Sequence, residues 1–99
     1  MNSKSFEAFQ ADARAAGFEE VLERRWAPDT ELDLHTHEFS LEAVVTQGEM
    51  WLTVEGITRH LKPGDVFALA ARQPHSERYG REGASYWVAR RTPKPAGQS

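Results

Sequence analysis

The strongest constraint on this chain is the regular punctuation of its second half by turn-forming residues. Short runs, Glu42 to Thr46, Met50 to Val54, Ile57 to Leu61, Val66 to Leu69, His75 to Tyr79 and Ala84 to Arg91, alternate with Gln47-Gly48, Glu55-Gly56, Pro63-Gly64-Asp65, the stretch from Ala70 to Pro74, and Gly80-Arg81-Glu82-Gly83. Glycine supplies the positive backbone angle that hairpin turns require. Turns at this density leave no room for crossover helices, so the runs must pair antiparallel. Within them the alternation is clean: Met50, Leu52 and Val54 share one face and Trp51 and Thr53 the other. The pattern predicts an all-β fold, a small antiparallel β-barrel or double-sheet jelly roll.

Upstream of the barrel, Phe6, Phe9, Ala13 and Ala16 recur at helical steps, with Ser3 or Ser5 as a cap and Gly17 as a terminator. This predicts an N-terminal α-helix over residues 1–18, packed on a barrel spanning 19–91. Glu19 to Trp26 reads as a strand that Pro28-Asp29 ends. Residues 92–99 carry Pro93, Pro95 and Gly97 and little to bury, which predicts a flexible tail.

The totals narrow the function. Ninety-nine residues make one domain with a modest core. A net charge of −3 disfavours a phosphate-binding surface, so no nucleic-acid partner is expected. Apolar runs fall short of a membrane span and the N-terminus has no signal pattern, so the expectation is a cytoplasmic protein without a membrane partner. With no cysteine, disulfides and thiolate ligands are excluded, and any metal must be held by imidazole and oxygen.

His35-Thr36-His37 fits that requirement. On one strand the two imidazoles would point the same way, with Asp33, while Leu32, Leu34 and Thr36 face oppositely. Glu42 follows five residues after His37 and can return after a bend, and His75 must be delivered by folding. Glu38 and Glu77 are alternative carboxylates, Glu77 sharing a face with His75 if that segment is extended. His60 reads as a surface residue. The apolar pair Leu32 and Leu34 calls for a covering helix or a second copy, and a homodimer is expected.

These residues resemble the two motifs of the cupin family of small β-barrels. The first is matched by His35-Thr36-His37, Glu42 and Gly48, the second by Pro63-Gly64-Asp65 and His75, over about Asp29 to Arg90. The chain departs from the pattern at Asp29, where the first motif often opens with glycine, and at Ala70, Arg72 and Tyr79, where the second commonly has proline, glycine and asparagine. Counted back from Gly48, the carboxylate position falls on Leu41 rather than Glu42, and a one-residue slip turns a strand side chain over.

The resemblance implies a divalent metal on His35, His37, Glu42 and His75, with iron, manganese, nickel, copper or zinc all compatible with this donor set. It also implies a small-molecule ligand or substrate, with dioxygenase or isomerase chemistry among the family's activities and non-catalytic sensing as the alternative. Trp51, Tyr79 and Tyr86 are candidate pocket aromatics, and Arg72 a candidate clamp for an anion. Barrels of this kind also occur fused to DNA-binding helical domains, for which 99 residues leave no space.

Overall fold

The computed structural model describes residues 5–92, so the expected tail lies almost wholly outside the described residues. One helix, α1 (Phe6–Ala15), precedes six strands: β1 (Glu20–Trp26), β2 (Glu31–His35), β3 (Ser40–Val54), β4 (Ile57–Leu61), β5 (Val66–Leu69) and β6 (His75–Arg91). Ser5 caps the helix by accepting a hydrogen bond from the Ala8 amide at 3.1 Å. At the other end the Phe18 amide donates to the Ala13 carbonyl, which turns the chain and buries Phe18.

Two expected turns prove to be bulges. Gln47-Gly48 does not end a strand, and neither does Gly80 to Gly83; β3 and β6 run through them and pair antiparallel from Ser40↔Arg91 to Val54↔His75. The register shifts between Val45 and Gln47 and again between Gly48 and Met50. A bulge bends its strand and increases local twist, so the six-stranded sheet folds across itself there. The first half of β3 and the second half of β6 carry β5 and β1; the other halves carry β4 and β2.

Gly48 makes the bend possible. Its φ is +73°, and a Cβ built on it would lie 2.1 Å from the carbonyl oxygen of Gly83. The backbones meet where a side chain has no room.

The core lies between the two halves. Leu41, Ala43 and Val45 of one half face Met50, Leu52 and Tyr79 of the other, all buried. The outer face of the first half carries a second cluster, in which Phe9 and Ala13 of α1 pack with Phe18, Val44 and Ala89. Phe6 and Phe9 each set a ring 6.0 Å from that of Trp87. The helix thus covers the sheet, as its apolar stripe predicts.

A further irregularity overturns the face assignment of β2. Its pairing with β6 shifts register between Leu32 and His35, so Leu32 packs against the core while His35, three residues on, also faces inward. Leu34 is left 72% exposed. Leu32 and Leu34 therefore do not form one apolar outer face.

Gly48→Ala should cost more than about 2 kcal/mol, because it adds backbone overlap to the left-handed conformation. Gly56, at φ +78° with nothing within 4 Å of an added Cβ, provides the control. Gly56→Ala should cost only about 1–2 kcal/mol. Urea denaturation of both variants checks this, and equal losses would contradict the close approach.

Candidate metal centre

The bent sheet assembles His35, His37, His75 and Glu77 at one end of the cavity between its halves. One ligand atom from each lies within 4.8 Å of all the others. The ring centroids of His35, His37 and His75 are 4.3–5.0 Å apart. His35 and His75 are register partners across β2 and β6. His37 sits past the end of β2, on the segment before β3, rather than on a common strand with His35. Its carbonyl accepts the Arg72 amide at 2.7 Å, fixing this segment against the loop that delivers His75.

The hydrogen bonds set the protonation of two rings. His35 Nδ1 is 2.6 Å from the Asp33 carbonyl and His75 Nδ1 is 2.9 Å from the Gln73 carbonyl. A carbonyl only accepts, so both Nδ1 atoms carry a proton and donate it. In the neutral form of each ring, Nε2 is then the nitrogen that offers a lone pair. The two Nε2 atoms face Glu77 Oε2 at 3.3 Å from His35 and 3.4 Å from His75. His75 Nε2 is buried and makes no hydrogen bond among the described residues. Two ring nitrogens and a carboxylate oxygen converging in this way can be bridged by a cation, and the donor set suits a divalent first-row metal.

Burial lowers the His37 pKa below 6.5, and the neighbouring His75 and His35 lower it further. The ring is therefore neutral at pH 7, the state that binds a metal. The other oxygen of Glu77 is already engaged, accepting the hydroxyl of buried Tyr79 in a short hydrogen bond. Burial pushes the Tyr79 pKa far above 10, with Tyr86 and Glu77 contributing, so this donor keeps its proton. Tyr79 in turn stacks on Trp26 at 5.2 Å.

The sequence-derived candidates separate cleanly. His35, His37 and His75 come together. Glu42 does not: it lies between inward-facing Leu41 and Ala43, opposite Ala68 and Ala89, on the exposed outer face of β3. Strand alternation, rather than distance along the chain from His37, decides this. Glu77 stands where that carboxylate was expected. Glu38 points to solvent, 3.6 Å from exposed Arg72.

Of the candidate pocket residues, Tyr86 lines the cavity and Tyr79 supports it from behind Glu77. Tyr86 accepts a hydrogen bond from Trp26 Nε1 at 3.1 Å. Trp51 lies outside, on the opposite face from Met50 and Leu52, stacked on His60 at 4.5 Å and covered by Arg78 at 4.2 Å. Arg72 is 70% exposed. Asp29 and Arg72, which replace motif glycines, both adopt positive φ, 59° and 63°. The backbone thus keeps the conformation that glycine would favour.

Two residues that the sequence reading did not single out also line the cavity: Arg24 and Arg90. Their signal was available. Leu22, Arg24 and Trp26 alternate on β1, and Tyr86, Val88 and Arg90 alternate on β6, so each arginine occupies an inward position.

Known proteins share this architecture. The described fold resembles the cupin domain of Schizosaccharomyces pombe Cnp3 with a TM-score of 0.67 and 18% identity, over 77% of this chain and 57% of that one. A Rhizobium leguminosarum protein of unknown function gives a TM-score of 0.66 at 18% identity, over 94% and 98% of the two chains. In sequence, 36 residues are 53% identical to an uncharacterized HTH-type transcriptional regulator of Haemophilus influenzae, covering 36% of this chain and 12% of that relative's length. The profile of the AraC-like ligand binding domain matches residues 18–90. On that match the chain belongs to the AraC-like ligand-binding domain family, and it has the fold of a cupin domain.

Proposed function

We propose that this domain binds a small molecule at a divalent metal ion held by His35, His37, His75 and Glu77. The observation that carries the reading is the convergence of one ligand atom from each of these four side chains within 4.8 Å, two Nε2 atoms being directed at Oε2 of Glu77. Bound there, the metal would supply a Lewis-acidic centre for a ligand oxygen. The chain's own residues do the rest. The Asp33 and Gln73 carbonyls hold two rings in the ligating tautomer, and Tyr79 fixes the carboxylate. The cavity holds about 90 Å³, well below the roughly 300–1,000 Å³ of sites for drug-sized ligands. Family membership supports ligand binding as the primary role.

A second reading, turnover of the bound molecule, is favoured by Tyr86. Its hydroxyl lines the same cavity, and burial and Glu77 raise its pKa, so it can hold a proton beside a ligand. Product formation from a ligand that the metal-loaded protein binds would separate catalysis from sensing.

Elemental analysis after loading should find one metal per chain in the wild type and in Glu42→Gln, and almost none in His75→Ala. Metal-free wild type, or Glu42→Gln failing alone, would contradict the assignment. Tyr79→Phe should keep the site but weaken metal affinity about 10–100-fold by releasing Glu77; unchanged affinity in a competitive chelator titration would remove Tyr79 from the centre.

The pH dependence follows from His37. The unfolded chain takes up the His37 proton at about pH 6.5, before the folded chain does. This group's contribution to folding is therefore present above pH 6.5 and is lost as pH falls toward the lowered folded value. Ring-proton NMR of metal-free protein should place the His37 midpoint below 6.5, and a midpoint at or above 6.5 would contradict the described burial.

A further inference from the structure

We infer that the cavity selects a short-chain organic carboxylate, gripped by Arg24 and Arg90 beside the metal; this rests on the metal-centre reading above. Alternation on an inward strand face normally demands apolar side chains. Yet β1 places Arg24 between Leu22 and Trp26, which pack against the core, and β6 places Arg90 two residues beyond fully buried Val88. Both arginines are half-buried, and sheltering a guanidinium group from water is costly without a counter-charge.

Arg24 has no hydrogen bond or ion pair among the described residues, and its guanidinium lies 4.7 Å from the Trp26 ring centre. Arg90 reaches Glu20 through Nη1 at 3.1 Å, but Glu20 is an outlying, exposed carboxylate. The Nε of Arg90 is buried with no hydrogen-bond partner. Its guanidinium stacks on Phe39 at 4.6 Å, and Phe39 stacks on His37 at 4.8 Å, which ties Arg90 to the metal end of the cavity.

Glu77 is the one acidic residue among those lining the cavity. With a divalent ion bound, its single negative charge would be set against that ion and the two arginines that line the same cavity. The surplus positive charge calls for an anion. Arginine's planar donors match a carboxylate, whose oxygens can divide between the metal and a guanidinium. The remaining wall, Leu41, Phe67, Leu69 and Val88, is apolar and suits a short hydrocarbon body. A volume of about 90 Å³ keeps that body short. The anion clamp sought at Arg72 is thus supplied by Arg24 and Arg90, inside the barrel.

Calorimetric titration of full-length, metal-loaded protein with 2-oxobutyrate, butyrate, butyramide and inorganic phosphate tests this. The two carboxylates should bind. Butyramide, their uncharged counterpart, and phosphate, an anion without an apolar body, should each bind at least tenfold more weakly. Arg24→Gln and Arg90→Gln should each weaken 2-oxobutyrate at least tenfold while retaining metal by elemental analysis and an unchanged circular dichroism spectrum. Arg90→Lys, which keeps the charge but loses Nε, should fall between Arg90→Gln and the wild type. Butyramide or phosphate binding as tightly as 2-oxobutyrate, or wild-type affinity in both glutamine variants, would overturn the inference. Wild type that loads metal but binds neither carboxylate overturns this inference alone. Wild type that takes up no metal counts against the metal centre instead; binding of 2-oxobutyrate to that metal-free protein, lost in Arg24→Gln, would still support the arginine clamp, and its absence would overturn it.

Discussion

A carboxylate oxygen held 3.3–3.4 Å from two imidazole nitrogens is the contact on which the account of this protein turns. Both rings set Nδ1 against a backbone carbonyl, which turns each Nε2 toward the carboxylate. A cation between them, proton or metal ion, satisfies both sides. Tyr79 makes the arrangement specific, because it occupies one oxygen of Glu77 and leaves the other for the rings. On the proposed reading, metal binding would be coupled to the order of this end of the barrel.

The fold brings the residues of that contact together from distant parts of the chain. The three histidines come from β2, the segment after it, and the start of β6, and none is close in sequence to Glu77 except His75. The bend at Gly48 lets β3 and β6 each serve both halves of the sheet. This places β1, with Arg24, across the cavity from β2, with His35. Helix α1 covers the outer surface of the β1–β6–β3 half and contributes nothing to the cavity lining. Structural and chemical work are thus divided between the two faces of one sheet.

Much of this was legible in the residues. Alternation and glycine spacing predict the antiparallel fold, and the two histidine-bearing motifs name three of the four side chains that cluster. What failed were inferences that counted positions without knowing the register. Gly48 reads as a turn because turn glycines and bulge glycines both take positive φ; only the proximity of Gly83 separates the cases. Glu42 satisfies the spacing from His37 but lies on the wrong parity of β3, whereas Glu77 shares parity with His75 and Tyr79. The bulge between Leu32 and His35 has no glycine or proline to announce it. Arg24 and Arg90 were visible as charges at apolar positions, a signal that gains meaning once the inward face is known.

The central claim is that one divalent ion sits among these four side chains. X-ray absorption at the edge of the loaded metal tests it most directly, since imidazole rings give multiple-scattering features that carboxylates and water do not. The account predicts three imidazole nitrogens at about 2.0–2.1 Å and one carboxylate oxygen, with one imidazole lost in His75→Gln. A first shell made only of oxygen, or a spectrum unchanged by that substitution, would contradict it.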